Sequence, residues 1–455
     1  MKNYILFFLL SFSSLYVVGS PVETVVLTCQ VEQCESVEEI YLYQFEGFGF
    51  TQLETAKRNK KGAFVFKIQP EKEQFFYLGN NPKQLKPVIV GGEENVLVKG
   101  NCKNFSQSKV EGSEINFEYE RLKMEIGRLK AKTGKLIQSF QRARSNPEKH
   151  TEIIEGLAAV DEERIQLMES YGSRYPILTE IAALNTYLSY QNNQEGYYEE
   201  VDYFANEFFR FVDFSNDLYE HNPWVYEAVK EYTRTLSSVK LEKELHQSYI
   251  DDLLREIPAN TSMHQLALSG VVAGLEGLRH PNYMLYGKRL LTKYEKDHPT
   301  AIADMKRKIG LAGAFLPGAV APDFAQLTPA GDSLNLSDLR GKVVLVDFWA
   351  SWCGPCRREN PHVKKVYEKY KDKGFEVLGV SLDRKKEAWE RAIKQDGLPW
   401  HHISDLKGWK NSVALMYDVS SIPHTILLDQ EGRIVANKLR GPQLEQELEK
   451  IFGTN

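Results

Sequence analysis

The segment Val346–Cys356, VDFWASWCGPC, constrains this chain more than any other. An alternating apolar run that reads as a strand gives way to two thiols three residues apart, with Pro355 placed to open a helix. C-x-x-C at a strand-to-helix junction within a βαβ pattern points to an α/β fold and to redox chemistry. A Cys at a helix N-terminus faces unpaired backbone N–H groups and the positive end of the helix dipole, which stabilise a thiolate. Cys353 is therefore the expected nucleophile toward a substrate disulfide, and Cys356, one turn deeper, the resolving thiol. A zinc site would need two further ligands, and the nearby pair, His401 and His402, is adjacent in sequence and poorly spaced for joint ligation. A purely structural bridge closing so small a loop adds little stability. The reading kept is a redox-active cysteine pair, with no metal and no other cofactor.

The flanking residues continue the α/β pattern. KVVLVDFW is followed by a helix from Pro355 to Lys371, FEVLGVS, a helix from Arg384 to Gln395 and a short helix near Val413–Tyr417. TILLD and RIVANKL form a strand pair across a turn at Gln430–Gly432, and a last helix runs from Pro442 to Phe452. This predicts a central mixed sheet flanked by helices. Alternation puts Leu345, Asp347 and Trp349 on one face, so Asp347 lies among apolar neighbours.

Upstream, residues 20–112 carry short alternating runs (TVVLTCQV, EIYLYQF, GAFVFKI, FFYLG, NVLVKG), which predict an antiparallel β-sandwich. Residues 113–311 read as an all-α middle region, with breaks at Pro147, Pro176, Pro223 and Pro258. Ile115, Tyr119, Leu122, Ile126, Leu129, Thr133, Leu136 and Phe140 share one helix face, either a core face or a seam for a homodimer. The aromatic segments Tyr197–Phe211 and Trp224–Leu236 read as packing faces. Residues 312–321 read as a Gly/Ala/Pro linker, and 322–455 as the redox domain. Cys29, Cys34 and Cys102 allow at most one bridge, with three pairings and one thiol left free; the alternative is that all three are buried small apolar residues.

The first residues, MKNYILFFLLSFSSLYVVGS, read as a signal peptide cleaved after Gly19. The apolar run is shorter than the roughly 20 residues that span a bilayer, so retention as an uncleaved anchor is the lesser reading. Hydrophobic residues at 42% and charged residues at 26% exclude a disordered chain and a multi-span membrane protein. A net charge of −5 with no basic domain argues against a nucleic-acid partner.

VVLVDFWASWCGPCRRENP, the Ser421–Pro423 turn before TILLD, and the lead-in APDF at Ala321–Phe324 resemble the thioredoxin superfamily, and within it the exported TlpA/ResA-like thiol-disulfide oxidoreductases. The resemblance spans about residues 322–455 and implies a thioredoxin fold. It implies that Cys353 is the nucleophile and Cys356 the resolving thiol, that Trp352 covers a site shared with Gly354 and Pro355, and that Ile422-Pro423 supplies a cis-proline turn where substrate pairs. Asp347 resembles the family's buried acid, whose burial would let it exchange protons with Cys356 near neutral pH. Glu359 matches an acidic position of the TlpA/ResA-like proteins, which makes it a candidate catalytic residue, against the plainer reading of a solvated helix-surface Glu. Pro361 matches the proline that kinks the first helix. A thiol peroxidase on this fold needs a hydroxyl three residues before its Cys, and Ala350 stands there.

The resulting expectation is a periplasmic protein-disulfide oxidoreductase. It would reduce exported proteins with wrong or blocked disulfides, apocytochromes c among them, and be recharged by a membrane electron donor. The alternatives are a disulfide isomerase through dimerisation, a thiol peroxidase-like antioxidant, and a binding protein with a secondary redox module.

Overall fold

The computed structural model describes residues 24–453, apart from 33, 35, 92, 144–145 and 277–279. The expected signal peptide, 1–19, lies outside the described residues. Internal contacts divide the chain into two compact units, Met1–Met305 and Lys306–Asn455. Among the described residues, no helix is long and apolar enough to cross a membrane.

The first unit begins with strands β1 (Val25–Glu32), β2 (Glu39–Phe45), β3 (Phe50–Lys57), β4 (Phe64–Ile68), β5 (Gln74–Gly79), β6 (Lys86–Val90), β7 (Asn95–Asn101) and β8 (Lys109–Glu111). Among the described residues they form two four-stranded sheets, ordered β4-β1-β7-β8 and β3-β2-β5-β6. Leu27, Phe66 and Val98 of the first sheet share an apolar cluster with Leu42, Phe76 and Val88 of the second. One pair departs from the antiparallel expectation, for β1 and β7 run parallel. Side chains alternate with period two in either direction, so the sequence pattern could not show this; the intervening β2–β6 supply the crossover a parallel pair requires. Of the three N-terminal thiols, Cys34 and Cys102 form the bridge. Cys29 stays free and buried inside β1, where loss of solvent pushes its thiol up to about 12.

The helices are α1 (Glu114–Arg142), α2 (Pro147–Tyr171), α3 (Pro176–Ala183), α4 (Tyr190–Asn193), α5 (Glu200–Glu207), α6 (Pro223–Ser238), α7 (Lys243–Glu256), α8 (Ser262–Leu275), α9 (Tyr283–Tyr294) and α10 (Ala303–Ala314). Pro147, Pro176 and Pro223 each stand in the first turn of a helix, where a missing N–H costs nothing. The first part of the α1 face offered above as a dimer seam, Ile115 to Leu129, is covered within the chain, while Thr133, Leu136 and Phe140 are half-buried. Ile115, Tyr119, Leu122 and Ile126 pack with Phe75 and Ile89 of the sheet and with Ile177, Leu178 and Ile181 of α3, and Phe140 stacks on His150. Tyr203, Phe204 and Phe208 pack with Tyr187 and Tyr232, as the packing-face reading requires. Gly270 lets α8 lie against α6, since a Cβ there would stand 2.7 Å from the Tyr226 carbonyl oxygen.

The second unit holds β9 (Ala325–Leu327), β10 (Ser333–Asn335), β11 (Val343–Trp349), α11 (Gly354–Tyr370), β12 (Phe375–Ser381), α12 (Lys386–Asp396), β13 (His401–Ile403), α13 (Ser412–Met416), β14 (His424–Leu428), β15 (Ile434–Asn437) and α14 (Pro442–Phe452). Its five-stranded sheet has the order β13-β12-β11-β14-β15. β12 runs parallel to both β11 and β13, whereas β14 is antiparallel to β11 and β15. β11 sits at the centre, buried on both faces, which explains its nearly continuous apolar run. Of residues 312–321, assigned above to a linker, 312–314 end α10 and 318–321 lie along β15 and the turn before it: Gly318 N–H donates to the Ile434 carbonyl at 2.7 Å, and Ile434 N–H to that of Ala319 at 2.8 Å. Phe315 packs 4.9 Å from the Tyr417 ring, and the Tyr417 hydroxyl donates to the Pro322 carbonyl.

Candidate active site

The chain leaves β11 at its carboxyl end and turns into α11 through Ala350–Cys353. Cys353 is the residue that caps α11: its Sγ accepts the Cys356 N–H at 3.2 Å, and its own N–H donates to the Ala350 carbonyl at 3.0 Å. The two cysteines form a disulfide with Cα atoms 5.3 Å apart, and both are buried. Gly354 and Pro355 are exposed above it. Trp352 is 55% exposed, with its ring 6.2 Å from that of Trp409. Ile422-Pro423 is a cis peptide. Because His424 pairs with Phe348 in an antiparallel register, this turn stands at the same sheet end as the Cys353 loop.

Asp347 projects from the middle of β11, opposite Gly379 and Thr425. Burial is the largest cause that raises its carboxyl to about 7; the Glu359 charge adds to the rise and Arg440 opposes it. Glu359 is not a simply solvated helix residue. It is half-buried, and its Oε1 accepts the Gly441 N–H at 2.6 Å, tying α11 to the start of α14. Pro361 lies inside α11, as the resemblance implies.

Two anchors escaped the sequence reading. Asp383, buried just past β12, accepts the Ser351 N–H at 2.9 Å, the Ser351 hydroxyl at 2.6 Å and the Ser381 hydroxyl at 2.8 Å, so it holds the loop that leads into Cys353. Asp396 takes Arg357 at 2.5 and 3.0 Å and the Asn360 amide at 2.9 Å, fastening the first turns of α11 to the end of α12. A Ser and an Asp just past a buried strand were the available signal for the first; the second has none short of the fold. His401 is exposed and His402 buried, on opposite sides of β13, so they cannot share an ion. Burial takes His402 down to about 3, which keeps it neutral. Among the described residues, no group of three or more His, Cys, Asp or Glu is placed to hold a metal ion.

A dithiol at the junction of a central strand and a helix, with an X-Pro turn at the same sheet end, defines a thioredoxin-like redox module. The Redoxin family matches residues 316–451. The thiol-disulfide oxidoreductase ResA of Bacillus cereus is 36% identical over 132 residues, which are 29% of this chain and 74% of that protein. That of Geobacillus kaustophilus is 34% identical over 141 residues, 30% of this chain and 79% of its own length. A solved thioredoxin domain of a thiol-disulfide oxidoreductase from Bacteroides vulgatus is 42% identical, covering 30% of this chain and 98% of that one, with a TM-score of 0.29. The chain belongs to the ResA/TlpA-like thiol-disulfide oxidoreductases of the thioredoxin superfamily.

Proposed function

We propose that the Cys353–Cys356 pair passes two electrons to disulfides of exported proteins, and that the protein is a periplasmic disulfide reductase. The observation that carries this reading is the placement of Cys353 as the cap of α11, where backbone N–H groups and the helix dipole favour its thiolate. In the reduced protein, the Cys353 thiolate attacks one sulfur of a substrate disulfide, and the other substrate sulfur leaves as a thiolate that takes a proton from water. Asp347 takes the Cys356 proton, and the Cys356 thiolate attacks Cys353 Sγ. The bridge closes, the second substrate sulfur departs as a thiolate that takes up the proton held by Asp347, and two electrons have moved from the protein dithiol to the substrate. Trp352, Gly354, Pro355, Ile422 and Pro423 form the surface that receives the substrate chain, with Glu359 bracing α11 beneath it.

Residues 1–19 serve as the export signal, with retention as an anchor the lesser reading. A membrane electron donor re-reduces the pair, and apocytochromes c are among the substrates. The two N-terminal sheets read as a β-sandwich ahead of the redox module. Gly354-Pro355 is the pair found in thioredoxin, whose potential lies near about −270 mV, far below the strong oxidants near about −120 mV.

The test is insulin reduction together with the potential of the pair in glutathione or dithiothreitol buffers. Cys353→Ser abolishes turnover if the reading holds, and unchanged turnover overturns it. A potential below about −230 mV fits a reductant, whereas one above about −180 mV reverses the direction of electron flow.

A further inference from the structure

A cavity of about 420 Å³ opens between α7, α8 and α9, in the unit that does not carry the redox pair. Its walls hold more positive charge than the protein neutralises. Arg289 is set against Asp251 at 2.5 Å, and the Asp251 oxygens also accept the Tyr286 hydroxyl at 3.0 Å and the Gln247 amide at 3.2 Å, which holds the guanidinium in place. Arg255 is set against Asp252 at 2.6 Å. Lys293, the third cation, has no carboxylate within ion-pair distance among the described residues, and its partial burial lowers its pKa. Its nearest polar contact is His264, whose Nδ1 lies 3.4 Å from Lys293 Nζ and 3.1 Å from the Tyr294 hydroxyl. An Nδ1 that accepts from both leaves the proton of a neutral ring on Nε2, which makes His264 a donor there. Leu254 and Leu268 complete the lining with apolar surface.

We propose that this cavity binds a small organic carboxylate, with the carboxylate on Lys293 and Arg289 and the hydrocarbon body on Leu254 and Leu268. The volume falls within the roughly 300–1,000 Å³ of small-molecule sites. A partly desolvated ammonium without a counter-ion is costly, and an anion offsets that cost; the planar guanidinium fork suits a carboxylate. The fixed negative charge of Asp251 in the same wall disfavours a doubly charged phosphate, and the two leucines favour an anion that carries apolar surface. The site is independent of the redox reading.

The experiment titrates the full chain with butyrate and, separately, with inorganic phosphate, following heat and the His264 ring resonance, which is assigned by its loss in His264→Gln. Lys293 is one cause that holds His264 down at about 4, behind burial, so an anion on Lys293 moves the His264 titration upward. Butyrate binding with that shift, weakened at least tenfold in Lys293→Gln at unchanged circular dichroism, is the expected result. Butyrate binding that leaves His264 unmoved, equal binding by Lys293→Gln, tighter binding of phosphate than of butyrate, or no binding at millimolar butyrate would each overturn the proposal.

Discussion

Asp347 is the residue on which sequence pattern and folded environment agree most usefully. Alternation along β11 placed it among apolar side chains, and the fold closes α11 over it, with Glu359 adding to the rise of its carboxyl to about 7. Below that pH the carboxyl is protonated and cannot take the Cys356 proton, so resolution of the mixed disulfide should slow as pH falls through 7. Asp347→Asn is expected to erase that inflection and to slow resolution at pH 8 about 10²-fold, read by stopped-flow with a model disulfide. The same group has a stability signature. A carboxyl that holds its proton more tightly folded than unfolded contributes stability that is fully present below its ordinary value of 3.8 and is lost as pH rises through about 7. At about 1.4 kcal/mol per pH unit this amounts to roughly 4 kcal/mol, and urea unfolding of wild type and Asp347→Asn at pH 4 and pH 8 measures it. Equal pH slopes in the two proteins would place Asp347 in water. Glu359 was legible only as a matching position; its bond to the Gly441 N–H depends on α14 arriving beside α11, which no local pattern encodes.

At the scale of elements, the strand-to-helix junction works because its loop is held from the side. Asp383 accepts from Ser351 and Ser381, so one buried carboxylate joins the end of β12 to the residues that lead into Cys353. Asp383→Ala leaves the donors of half-buried Ser351 and buried Ser381 without this acceptor, and the expected cost is about 2–4 kcal/mol by urea unfolding. Alkylation of reduced Cys353 should slow with it, because the cap geometry that stabilises the thiolate is no longer held; unchanged stability and alkylation would show that the loop holds itself. Breaks between helices were readable at Pro147, Pro176 and Pro223, and each break proved to be a first turn, which proline suits. Strand direction was not, since β1 and β7 would show the same alternation if they ran antiparallel. The heptad spacing of α1 was equally silent on what covers it, for a seam between two copies and a core face within one need the same apolar rows.

For the whole molecule, the division near residue 305 sets what the redox module needs in order to stand alone. Phe315 on Tyr417 and the bonds between Gly318–Ala319 and Ile434 come from the stretch that reads as a linker, and the Tyr417 hydroxyl on the Pro322 carbonyl from the residue just after it. A fragment of residues 306–455 is expected to reduce insulin within about twofold of the full chain. One of residues 323–455 should unfold at a clearly lower urea concentration, since it loses a partly buried aromatic and several backbone bonds along β15. Equal midpoints for the two fragments would return that stretch to the status of a tether.

Residue types and their spacing were enough for the redox chemistry, the strand-to-helix junction that carries it, the buried acid and the breaks between several helices, because each depends on neighbours a few positions away. The pairing of Cys34 with Cys102, the parallel β1–β7 pair, the burial of the α1 face, the Asp383 and Glu359 anchors and the charged cavity between α7, α8 and α9 depend on partners tens of residues distant. Backbone geometry carries local pattern over a turn or a strand, while contacts at that range exist only once the elements have packed.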